Sequence, residues 1–162
     1  MNYYELFGIP VRPVVNGSEL ARKYFELQKQ NHPDFFSQAT EHEQEGALEL
    51  SATINKAFTT FKDEQKTLEY FLQLKGLLAT DEKYELPQDF LMDMLDLNEE
   101  LTDAGPSDMV EKVRMLEKSL YEQVKPTMEN YSDTTPDTVL QELKEYYYKK
   151  KYLNRILDRL GD

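Results

Sequence analysis

Pro33 is the residue that most constrains how this chain can fold. Its ring removes a backbone donor and pushes the preceding residue out of helical conformation, yet it stands between two stretches of helical periodicity. Before it, Asn16 and Glu19 have capping-box spacing, and Leu20, Tyr24 and Leu27 follow at helical intervals. After it, the period resumes near Glu41 as Leu48, Ala52, Asn55 and Phe58, with Ile54 and Phe61 beside them. The first helix must stop at Asn31 or His32, a loop of roughly eight residues follows, and the second helix returns antiparallel. His32, Pro33 and Asp34 occupy the tip of this hairpin, and Arg22, Lys23 and Lys29 lie on the polar sides of the helix leading to it. An ordinary proline-initiated turn can carry the same three residues, so the corner alone leaves the function open.

The remaining helices follow from the same reasoning. Tyr3, Tyr4, Leu6 and Phe7 form a short aromatic helix ended by Gly8 and Pro10. Asp63 can cap a segment whose Leu68, Phe71, Leu72 and Leu74 pack back before Gly76 ends it. A first domain over residues 1–75, a connector over 76–87 rich in Asp, Glu and Lys, and a second domain over 88–162 are expected. In the second domain Phe90, Met94, Leu97 and Leu101 make a narrow stripe suited to a core. Leu91 and Leu95 point off that stripe, Met92 lies farther round, and Asp96 and Glu99 flank them. A helix with two apolar sides is either sandwiched in its own protein or presents the second side to a partner.

Pro106 suits the first turn of the next helix, which buries Val110, Val113, Leu116, Leu120 and Val124. Pro126 should kink or stop it near Val124, with a resumption through Met128 to Tyr131 left open. Thr135 and Pro136 read as a cap and first-turn proline for a last helix carrying Val139, Leu143, Tyr146 or Tyr147, Leu153, Ile156, Leu157 and Leu160. The run from Tyr146 to Lys151 mixes aromatic and basic residues, but reads as a helix face with solvated lysines.

A formal charge of −12 argues against nucleic acid or an anionic membrane as the main partner, because either is repelled at long range. With no cysteine there is no disulfide, thiolate-held metal or cysteine nucleophile, and two histidines make a poor metal site. No cofactor or metal is expected. With neither a basic, apolar leader nor an 18-residue apolar run, the expectation is a soluble cytoplasmic protein.

The opening Asn-Tyr-Tyr-Glu-Leu-Phe-Gly, the capped basic helix, His32-Pro33-Asp34 and the returning helix together resemble a J domain. The wording Leu6-Phe7-Gly8, Ser51-Ala52-Thr53-Ile54-Asn55, Glu69-Tyr70-Phe71-Leu72, Phe90-Leu91-Met92 and Asn98-Glu99-Glu100-Leu101 is similar to the HscB family of iron-sulfur assembly co-chaperones. The resemblance implies an all-α protein, a J domain followed by a three-helix bundle. It also implies a non-enzymatic co-chaperone that stimulates the ATPase of an HscA/DnaK-class heat-shock chaperone. His32, Pro33 and Asp34, with Arg22, Lys23 and Lys29, would face that chaperone. Leu91, Met92, Leu95, Asp96 and Glu99 would bind an IscU-type iron-sulfur scaffold protein. Two residues depart from the family pattern: Phe35 where a lysine usually follows the tripeptide, and Asn31 where an aromatic residue often precedes it. Both thin the basic surface. A J protein serving a general chaperone with another client is the alternative. An acid-base enzyme built on His32 and Asp34 would need an enclosed pocket that an exposed tip does not offer.

Overall fold

The computed structural model describes residues 1–103 and 105–161, with the side chains of residues 101–103 outside that description. Among the described residues there are seven α-helices and one 3₁₀ turn, and no strand. The helices are α1 (Tyr3–Phe7), α2 (Gly17–Asn31), α3 (Glu41–Phe61), α4 (Glu64–Leu74), α5 (Gln88–Asp103), α6 (Pro106–Glu129) and α7 (Asp137–Arg159). Contacts group the chain into two compact units, Met1–Phe71 and Leu72–Asp162.

In the first unit the short helix α1 is fixed at both ends. Asn2 and Glu5 exchange the two bonds of a capping box, with the Asn2 side chain accepting from the Glu5 N–H at 2.8 Å. At the other end Gly8 takes φ +63°, which lets Gly8 and Ile9 donate back to Glu5 and Tyr4. Tyr4 and Phe7 are thereby sunk into a core with Leu20, Ile54, Ala57 and Phe61. Asn16 caps α2 by accepting from the Glu19 N–H at 3.0 Å.

Helices α2 and α3 pack together with Phe58 stacked on Tyr24 and with Ile54 and Phe61 in the core as expected, but the rest of the face expected for α3 shifts by one residue, leaving Leu48 and Ala52 exposed. Its buried stripe is Ala47, Ser51, Ile54, Ala57 and Phe61, whereas Leu48 is 62% exposed. The two stripes differ by one residue and share the same period, so periodicity does not separate them. A polar ladder spans the seam: Tyr24 and Gln28 both donate to Asn55 Oδ1, at 2.7 and 2.8 Å, and Ser51 Oγ donates to Gln28 at 3.2 Å. Asp63 caps α4 by accepting from the Lys66 N–H at 2.8 Å. Leu68, Phe71 and Leu72 are buried as expected, but Leu74 is 41% exposed.

In the second unit Phe90 and Met94 of α5 join Met109 and Val113 of α6 and Leu153, Ile156 and Leu157 of α7 in one core. Leu97 packs against it, and the side chain of Leu101 lies outside the described residues. Pro106 is the first residue of α6, where its missing N–H costs no helical bond. Helix α6 does not stop near Val124: it carries Pro126 inside it and runs on to Glu129, within the stretch where the sequence leaves resumption open, with Val124 and Met128 both buried. At the start of α7 the expected cap is displaced by one residue. Pro136 is the N-cap, and Thr135 instead accepts from the Ser132 N–H at 3.0 Å, closing the turn before the helix. Tyr146 and Tyr147 are both buried. Lys149 is not solvated as expected, since its side chain is 17% exposed, pairs with Glu145 and lies over the Phe90 ring.

The connector has its own anchor. Glu82 accepts from Lys144 of α7 at 2.5 Å, from the Tyr148 hydroxyl at 3.2 Å and from the Ala79 N–H at 3.2 Å. Tyr84 stacks on Tyr148 with centroids 4.3 Å apart. The Lys144 hydrogen bond is the main reason the Glu82 carboxyl titrates below its ordinary value. Burial raises that of the Tyr84 hydroxyl, helped by the charges of Glu145 and Glu82.

Candidate partner-binding surfaces

The tip of the α2–α3 hairpin is built by Pro33. Helix α2 ends at Asn31, whose side chain donates to the Leu27 carbonyl at 2.9 Å, and His32 turns extended at φ −63°, ψ 134°. Pro33 then opens a 3₁₀ turn, Pro33–Phe36. His32 caps that turn, its Nδ1 accepting from the Asp34 N–H at 3.2 Å. A neutral ring bonded in this way keeps its proton on Nε2, so the side chain offers a donor there. The Asp34 carboxylate is 90% exposed, with Oδ2 3.4 Å from His32 Nδ1. The corner thus presents one fixed imidazole donor and one solvated anion.

The three basic residues are not placed alike. Arg22 and Lys29 are exposed on α2, and Arg22 pairs with Glu26 at 3.2 Å. Lys23 turns to the other flank, where its ammonium reaches Gly8 at the end of α1. Two phenyl rings, by contrast, stand at the corner. Phe25 is 76% exposed and Phe35 66%, and both line one shallow cleft with Glu26, Lys29, His32 and Asp34. Phe25 is not among the residues picked out from the sequence; the signal for it is its place four residues before Lys29 and seven before His32, a spacing that shares one helix face.

On α5 the two apolar sides meet different fates. Phe90 is 4% exposed and Met94 2%, while Leu91, Met92 and Leu95 are 39%, 65% and 62% exposed. Asp96 and Glu99 are exposed beside them. The second side is therefore not covered within its own unit. Lys112 of α6 pairs with Glu100 at 2.5 Å, tying α6 to the flank of α5 away from Leu91 and Leu95. No group of three or more His, Asp or Glu among the described residues is placed to hold a metal ion. No helix among them is long and apolar enough to cross a membrane.

A hairpin with His-Pro-Asp at its tip, packed on short helices and followed by a helical bundle, defines a J-domain protein with a C-terminal helical domain. Residues 86–161 match the family model described as the HSCB C-terminal oligomerisation domain. Co-chaperone protein HscB homologues from strains of Vibrio cholerae are 41% identical over 102 residues, which is 62% of this chain. That match spans 60% of the length of these curated relatives. The solved structure of chaperone HscB from Vibrio cholerae superposes over 99% of both chains, with a TM-score of 0.67 and 29% identity. The crystal structure of human co-chaperone HscB covers 99% of this chain and 81% of its own, with a TM-score of 0.81 and 25% identity. The chain is thus similar to HscB co-chaperones, through the family model over residues 86–161 and through solved HscB structures along nearly its whole length.

Proposed function

We propose that this protein is a co-chaperone in iron-sulfur cluster assembly. Its J domain stimulates ATP hydrolysis by an HscA/DnaK-class heat-shock chaperone, and its second unit brings an IscU-type scaffold protein to that chaperone. The observation that carries the reading is the corner, where His32 and Asp34 are held by Pro33 with polar atoms turned to solvent. Arg22 and Lys29 extend this surface along α2, and Lys23 adds positive charge on its other flank. An exposed carboxylate pairing with a chaperone cation makes a charge-assisted, directional bond. The uncovered side of α5 supplies the second surface. Leu91, Met92 and Leu95 give adaptable apolar contact, and Asp96 and Glu99 orient a basic partner at the rim.

The protein does no chemistry itself in this reading. Binding favours the chaperone state in which hydrolysis is fast, a population shift driven by differential affinity. Tethering raises the scaffold's effective concentration at the chaperone. The test is the steady-state ATPase rate of an HscA-type chaperone with this protein, with and without the scaffold. Strong added stimulation by the scaffold supports both surfaces. Stimulation that the scaffold leaves unchanged points to a J protein with another client.

A further inference from the structure

We infer that Phe25 and Phe35 are recognition residues of the chaperone-facing surface, together forming an aromatic wall for an arginine side chain of the partner chaperone. This rests on the proposal that the corner binds a heat-shock chaperone. Two phenyl rings, 76% and 66% exposed, flank one cleft and come from different elements, α2 and the 3₁₀ turn. Exposing both to water is unfavourable for the isolated protein, and contiguous exposed aromatics mark contact sites. The Phe35 ring is held edge-on to His32, with centroids 6.5 Å apart, so part of the wall is fixed before binding.

The chemistry of the cleft selects its occupant. Glu26 is engaged by Arg22, whereas the Asp34 carboxylate, 90% exposed, stands beside His32 and faces solvent; Lys29 lines the same cleft. The rings add π faces that attract a cation. A flat guanidinium on an alkyl stem satisfies both, since it stacks on a ring while donating to a carboxylate, and a compact ammonium does this less well. Where Phe35 replaces a basic side chain, the contact becomes apolar and is screened less by salt.

The experiment measures ATPase stimulation of a purified HscA-type chaperone against concentration for the native protein, Phe25→Ser, Phe35→Ser, Phe25→Tyr, Phe35→Tyr and Asp34→Asn. Each serine variant is expected to raise the half-maximal concentration about fivefold or more, with the melting temperature unchanged because both rings are exposed. Each tyrosine variant keeps the ring and is expected to stay within about twofold. A smaller change in either serine variant, with stimulation lost in Asp34→Asn, overturns the wall and leaves the chaperone reading standing. Full stimulation by Asp34→Asn overturns the chaperone reading and this inference with it.

Discussion

Replacing Met92 and Leu95 together by alanine should weaken scaffold binding about tenfold or more while most of the stability remains. Met92 is 65% exposed and Leu95 62%, so each buries only about a third of its surface within the protein. Burying such a side chain completely is worth about 1.5–3 kcal/mol, which makes the loss roughly 0.5–1 kcal/mol at each site. Alanine's better helix propensity returns a few tenths. The net cost is about 1 kcal/mol, or a fall in Tm of roughly 4–8 °C for a unit of this size. Met94, between them in sequence, is 2% exposed, and Met94→Ala should cost about 2–5 kcal/mol. Binding should rank the variants the other way. Two apolar groups truncated at the centre of an interface cost over about 1.4 kcal/mol together, a factor of about ten in Kd. Isothermal titration with a purified IscU-type scaffold reads the affinities, and thermal melts followed by circular dichroism read the stabilities. An unchanged Kd in the double variant refutes the assignment of this face. A fall in Tm as large as that of Met94→Ala refutes the burial argument.

His32→Gln should abolish ATPase stimulation, because the rigid imidazole that accepts from the Asp34 N–H while aiming its donor outward is replaced by a flexible amide, and scaffold affinity should not change. Equal loss of both activities would mean that the two surfaces are not separate. Glu82→Gln should cost about 1–3 kcal/mol in urea unfolding at pH 7, since it strands Lys144, whose side chain is 13% exposed. The Glu82 carboxyl titrates below its ordinary value of 4.5 when folded, so its contribution is complete above that pH and is lost as pH falls through the folded value. The native protein should therefore lose more stability than Glu82→Gln between pH 6 and pH 3, and parallel curves would contradict this. Gly8→Ala should cost about 1 kcal/mol in the same assay, because Gly8 sits at φ +63°; no change would show that α1 ends without strain.

The helices were legible because their ends are written locally. Pro33, Pro106, Gly8, Gly76 and Asp63 each act through backbone geometry or a cap within a few residues, and each stands where such a residue should. What failed was information that only packing holds. The stripe through Leu48 and the stripe through Ala47 are equally helical, and only the packed fold shows that Ala47 and Ser51 are buried while Leu48 and Ala52 are exposed. The Glu82 to Lys144 bond joins residues 62 apart in sequence, so no local pattern announces it. Pro126 lets α6 run on to Glu129, one of the outcomes its position leaves open.

For the candidate surfaces, the sequence names apolar residues that could be presented, and the fold decides which remain uncovered. Exposure alone is a weak criterion. Leu48 and Met115 are 62% and 66% exposed, yet among the described residues each is the one large exposed apolar side chain on its helix, as is common on any soluble surface. Leu91, Met92 and Leu95 share one helix side, and Phe25 and Phe35 share one cleft, each group with carboxylates beside it. Clustering with oriented charge is what separates a recognition surface from scattered exposure. The same criterion explains why Phe35 is more than a missing lysine. In the proposed chaperone contact a lysine at this position would act at long range, whereas Phe35 places a second ring at the cleft that Phe25 lines and would act at short range. Binding through such a corner should depend less on ionic strength than binding through a lysine at the same position, and Phe35→Lys measured across a salt series isolates that exchange.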